Sequence, residues 1–169
     1  MRNIPELAPG TYGSVDLALR LAELKDYMDL ATDPHYADLR SNTDVTAAAA
    51  LGRERVVNVN ISHNSTHILN RLGYISYTGW PRKFAAEFAA RVPRQDRFDA
   101  LIGLNARILD AYVVVHLLRP NGYVITNELE SAQALYGLIE PVHTPGDLEE
   151  IDGGSLYSGG PALLYRSNQ

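Results

Sequence analysis

The residues from Ile61 to Leu72, ISHNSTHILNRL, hold the densest set of side chains with chemistry to offer. His63 and His67 stand four apart, so on a helix starting at residue 63 they would share a face and could chelate a metal. A metalloprotease helix needs a glutamate directly after the first histidine, and Asn64 stands there instead. A third ligand would have to come from His116, His143 or Glu128, and spacing pins none of them, so no metal site is expected. The same turn has a second reading. Ser62, His63, Asn64 and Ser65 lead into a helix N-terminus, whose free N–H groups and dipole favour a phosphate or carboxylate. Self-capping by Ser65 or Asn64 would use the same donors.

Asn105 follows an uninterrupted apolar run, FDALIGL (98–104), at the carboxyl edge where open α/β sheets place their ligands. A loop or helix-cap asparagine would look the same. Glu128 and Glu130 follow GYVIT on that edge and could serve as a general base or bind an amine, although acids at a helix start also complement its dipole. Trp80, with Tyr74 and Tyr77 upstream, could stack a purine; a packing surface explains the tyrosines equally well. GGSLYSGG lacks the strand, helix and lysine of a phosphate-binding loop, and no serine sits in a G-x-S-x-G elbow.

The elements that must position these residues are legible in the apolar periodicity. Leu17, Leu21, Leu24, Met28 and Ala31 recur in steps of four and three, which predicts an amphipathic helix capped by Ser14 and stopped by Thr32-Asp33-Pro34. The polar stretch DPHYADLRSNTD follows, then an alanine-rich helical turn ended by Gly52. From Arg55 strands and helices alternate: VVNVNI (56–61), STHILNRLG (65–73), YISYT (74–78), and a helix opened by Pro81. FDALIGL, a helix over LDAYVVVHLL, then GYVIT, ESAQALYGL, IEPVH and PALLYRS complete the chain. The pattern predicts an α/β three-layer sandwich with a mostly parallel sheet and an antiparallel C-terminal hairpin. An N-terminal helical extension over 1–52 is expected to pack against the domain at 53–169.

Totals narrow the functional classes. One domain of this length can bury its own core, and the absence of cysteine removes disulfides, thiolate nucleophiles and zinc–thiolate sites. The formal net charge of −5, from 15 basic and 20 acidic residues, shows no footprint for nucleic acid. No signal peptide or membrane span is visible, so a soluble, unexported chain is expected, either cytoplasmic or part of a virion.

From Arg55 onward the order of elements resembles the class I S-adenosylmethionine-dependent methyltransferase fold, a Rossmann-like arrangement. FDALIGL is similar to that family's fourth strand, HLLRPNGYVIT to the stretch leading into its fifth, and the tail ending in PALLYRS to its terminal antiparallel hairpin. The resemblance implies S-adenosylmethionine in a glycine-rich turn after the first strand, an acidic residue ending the second strand on the ribose hydroxyls, and a polar residue, here Asn105, near the methyl acceptor. With 56–61 taken as the first strand, three departures follow. The turn is Ser62, His63, Asn64 and Ser65 without glycine; the second strand ends Tyr77-Thr78-Gly79-Trp80 without a carboxylate; and the third strand is absent.

The expected function is therefore a non-catalytic methyltransferase-like module without a cofactor. It would act as a subunit of an assembly such as a phage particle and self-associate through the N-terminal helix. The alternative is a methyltransferase holding S-adenosylmethionine through Ser62 to Ser65, with Asn105 and Glu128 as catalytic candidates.

Overall fold

A computed structural model describes residues 11, 13–40, 42–104, 109–127, 129–145 and 161–169. Its framework is a seven-stranded sheet in the order β3-β2-β1-β4-β5-β7-β6. The strands are β1 (Tyr36–Arg40), β2 (Val56–Asn60), β3 (Ile75–Thr78), β4 (Phe98–Gly103), β5 (Leu118–Thr126), β6 (Ile139–Pro141) and β7 (Leu163–Ser167). The first five run parallel, and β7 inserts antiparallel between β5 and β6. The helices are α1 (Val15–Lys25), α2 (Thr46–Leu51), α3 (His63–Arg71), α4 (Pro81–Arg91), α5 (Ala111–Leu117) and α6 (Leu129–Ala134).

Local signals set many of these boundaries. Ser14 caps α1 by accepting from Leu17 N, while Pro81 opens α4 where its missing N–H costs nothing. Gly52 (φ 106°) and Gly73 (φ 87°) take the left-handed region just after α2 and α3, which only glycine enters cheaply. Helix α1 stops at Lys25, earlier than its periodicity suggests, yet Met28 still packs into the core from the turn beyond.

Two apolar layers enclose the sheet. On one face Leu17, Leu21 and Leu24 of α1 and Leu69 of α3 meet Tyr36, Ile102 and Ile125. On the other, Ala85 of α4 with Val113 and Leu117 of α5 cover Leu39, Val59 and Leu101. The three-layer sandwich and its C-terminal hairpin are as expected. Near the amino edge Arg119 Nε donates to Asp99 Oδ1 at 2.7 Å, and Asp99 Oδ2 accepts from His35 N at 2.8 Å, tying β4, β5 and the entry to β1 together.

One strand overturns part of the sequence reading. Residues 36–40, placed in a polar stretch of the N-terminal extension, form β1, which pairs with β2 on one side and β4 on the other. All five of its residues are buried, Asp38 and Arg40 included. A boundary at residue 52 would therefore cut β1 out of the middle of the sheet. The apolar stripe of α1 is also spent inside the chain, leaving Val15, Asp16, Glu23 and Asp26 outward.

Candidate functional site

With β1 in place, every strand count moves by one. VVNVN is the second strand rather than the first, and YISYT supplies the third strand that seemed absent. Ser62 to Ser65 follow β2, so the turn that the resemblance would line with glycine instead includes Asn42-Thr43-Asp44, between β1 and α2. The position that the resemblance would fill with a carboxylate is Asn60.

The last residues of three strands lie in one row, Arg40 beside Asn60 and Asn60 beside Thr78, with Asp38, Asn58 and Ser76 in the row behind. The side chains of this corner engage one another. Arg40 pairs with Asp38 within β1 and, through Nη1, with Asp44 Oδ1 at 3.5 Å. Asp38 is 1% exposed and Arg40 7%, so this is a buried ion pair. Asp44 Oδ1 also accepts from Thr46 N at 2.8 Å and Thr46 Oγ1 at 2.6 Å, which fixes the start of α2.

Asn60 is wholly buried, and both ends of its amide are taken: Nδ2 donates to Asn42 O at 2.8 Å and Oδ1 accepts from Ser62 N at 2.9 Å. Asn42 Oδ1 in turn accepts from Asp44 N at 3.0 Å. Among the described non-glycine residues only Asn121 has positive φ, so Asn42 and Asp44 do not imitate glycine in backbone shape. Residues 42–44 contain no glycine, and Asn60 stands without a carboxylate. In the row behind, Asp38 Oδ1, Asn58 Oδ1 and Ser76 Oγ, with Thr66 Oγ1 of α3, are buried and have no hydrogen-bond partner among the described residues.

The other candidates separate. Ser62 rather than Ser65 caps α3, its Oγ accepting from Ser65 N at 3.2 Å, because the helix begins one residue after β2 has turned. His63 and His67 are both exposed on α3, and no group of three or more metal-binding side chains occurs among the described residues. Asn105 and Glu128 lie outside the described residues. Tyr74 is buried beneath the Arg53 guanidinium, 4.4 Å from the ring centre, whereas Tyr77 is 53% and Trp80 67% exposed. Sequence reasoning missed Asp38, Arg40 and Asn60; the repeated spacing of polar residues in YADLR and VVNVN was the available signal.

No protein-family model matches the chain, and no curated relative does. Solved structures do match. The N-methyltransferase NodS from Bradyrhizobium japonicum is 11% identical with a TM-score of 0.52, over 90% of this chain and 93% of that one. A predicted O-methyltransferase from Agrobacterium tumefaciens is 16% identical with a TM-score of 0.50, over 89% of this chain and 79% of that one. The 16S rRNA N2 G1207 methyltransferase of T. thermophilus, in complex with AdoMet and guanosine, is 15% identical with a TM-score of 0.50 over 96% of this chain. This chain spans only 42% of that enzyme and about half the length of two other matched structures. At these identities the likeness concerns architecture. No helix among the described residues is long and apolar enough to cross a membrane. The strand order and the structural matches together give this chain the Rossmann-like fold of the class I S-adenosylmethionine-dependent methyltransferases.

Proposed function

We propose that the chain is a non-catalytic methyltransferase-like module that works by binding partners within an assembly. One observation carries this reading: the last residue of β1 is a buried arginine, Arg40, tied to Asp38 and Asp44 at the strand end where a glycine-rich turn would bring bare backbone to a cofactor. A guanidinium held between two carboxylates is costly to displace, because moving it strands Asp38 in the core. Self-association, and a place in a larger particle, belong to the same proposal. The outward residues of α1, with Val15 60% exposed, are what a neighbouring subunit would meet there.

A second reading is an S-adenosylmethionine-dependent methyltransferase with a non-standard cofactor loop. The intact seven-strand order and the likeness to a structure solved with AdoMet favour it. Calorimetric titration with S-adenosylmethionine separates the two. The first reading expects no heat of binding at millimolar ligand, and saturable binding would overturn it in favour of the second. Light scattering tests the assembly arm, since a monomer at micromolar concentration would refute self-association.

A further inference from the structure

The net charge of −5 averages two unlike regions. Between Arg53 and Arg97 eight basic residues face three acidic ones, a net of +5, so the remainder carries −10. The sheet order collects that basic segment at one end of the molecule, because β2, α3, β3 and α4 all derive from it and β3 is the edge strand. Arg71, Lys83, Arg91 and Arg94 are exposed there, and none pairs with a carboxylate among the described residues.

Aromatic rings lie among these charges. Trp80 (67% exposed) and Tyr77 (53%) stand at the junction of β3 and α4. Tyr77 is backed by a ladder of rings, Tyr77 to Phe84 at 6.0 Å, Phe84 to Phe88 at 5.9 Å and Phe88 to Phe98 at 4.8 Å between centroids. The ladder anchors Tyr77 as a fixed platform and leaves Trp80 outward. Helix α4 is about 16 Å long, with Lys83 in its first turn beside the aromatic junction and Arg91 at its far end, so the cations run from the junction along the helix.

We propose that this β3–α4 end binds single-stranded nucleic acid, with Lys83, Arg91 and Arg94 on phosphates and Trp80 and Tyr77 stacking on bases. Duplex would not satisfy it, since stacking on a side chain needs bases already splayed from their partners. An acidic protein would use the cations but leave both rings without planar partners. Unfavourable charge elsewhere on the chain does not forbid binding, because at physiological salt the repulsion is screened within about 8 Å.

Trp80 is the chain's sole tryptophan, so its fluorescence reports on this site alone. The full chain is titrated with an oligothymidylate of about fifteen nucleotides at several salt concentrations. Expected are saturable quenching at low salt and an affinity that falls with log salt by roughly 0.7 per phosphate contact. Followed by anisotropy of a labelled oligonucleotide, Trp80→Ala should weaken binding about ten-fold. The double variant Arg91→Ala/Arg94→Ala should reduce the salt slope by about 1.4. All these positions are exposed, and an unchanged circular dichroism melt verifies the fold of each variant. Absence of binding at low salt overturns the proposal. So does heparin, a base-free polyanion, if it binds as tightly and quenches Trp80 as strongly. A salt-sensitive oligomer that shields Trp80 from acrylamide without taking up oligonucleotide would also overturn it, identifying a second copy as the occupant.

Discussion

Replacing Arg40 by methionine removes the guanidinium while keeping most of the side-chain volume, so the loss measured is electrostatic rather than a cavity. Asp44 keeps its bonds to Thr46 and is 14% exposed, so water compensates it in part. Asp38, 1% exposed, has no such recourse and becomes an uncompensated charge under α1 and α2. Breaking a buried pair from one side costs about 3–5 kcal/mol, a large share of the roughly 5–15 kcal/mol that holds a domain folded. With a urea slope of roughly 2 kcal/mol/M, the unfolding midpoint read by circular dichroism should fall by about 1.5–2.5 M. Asp38→Val/Arg40→Met should recover most of that loss, because an apolar pair of suitable volume removes both desolvation costs and Val suits a strand. The coupling between the two positions should then exceed about 1 kcal/mol. A single variant melting within about 0.3 M of the parent would refute the reasoning: Arg40 would not be the buried counter-ion, and the corner at the end of β1 would be free for a ligand.

Two further outcomes follow from β1. Burial, with Asp99 adding a smaller effect, pushes the Tyr36 hydroxyl up from 10.0 to about 12. Between those values the unfolded chain loses a proton that the native chain keeps, so this contribution is whole below pH 10 and is lost as pH rises towards 12, up to roughly 3 kcal/mol. Tyr36→Phe should flatten alkaline destabilisation over that range and cost nothing at neutral pH, since the hydroxyl has no hydrogen-bond partner among the described residues; an unchanged alkaline profile would contradict this. Deleting residues 1–50 should abolish cooperative thermal unfolding, because it removes Leu17, Leu21, Leu24, Tyr36, Leu39 and Val45 from the core. At about 1.5–3 kcal/mol each, their combined burial is as large as an ordinary domain's whole stability, and a folded truncation would restore a domain boundary at residue 52.

Much of the frame was written in local patterns. The runs at 56–60, 98–103 and 163–167 declared strands because their apolar residues have no soluble alternative. Ser14, Pro81, Gly52 and Gly73 marked helix ends because each meets a backbone requirement that acts within a few residues. Strand β1 was illegible for the opposite reason. Asp38 and Arg40 read as surface residues one at a time, and only when folded do they neutralise each other inside the sheet. That one strand sets the strand count, so Ser62 to Ser65 follow the second strand of the sheet and Asn42 and Asp44 follow the first. The cluster of positive charge at 53–97 was present in the sequence as well, but its meaning depended on strand order. The pairing of β1 between β2 and β4 leaves β3 at the edge of the sheet and turns a stretch of chain into one basic, aromatic end of the molecule. Periodicity reports what each residue would do against water, whereas pairing between residues distant in sequence is decided by which strands lie side by side.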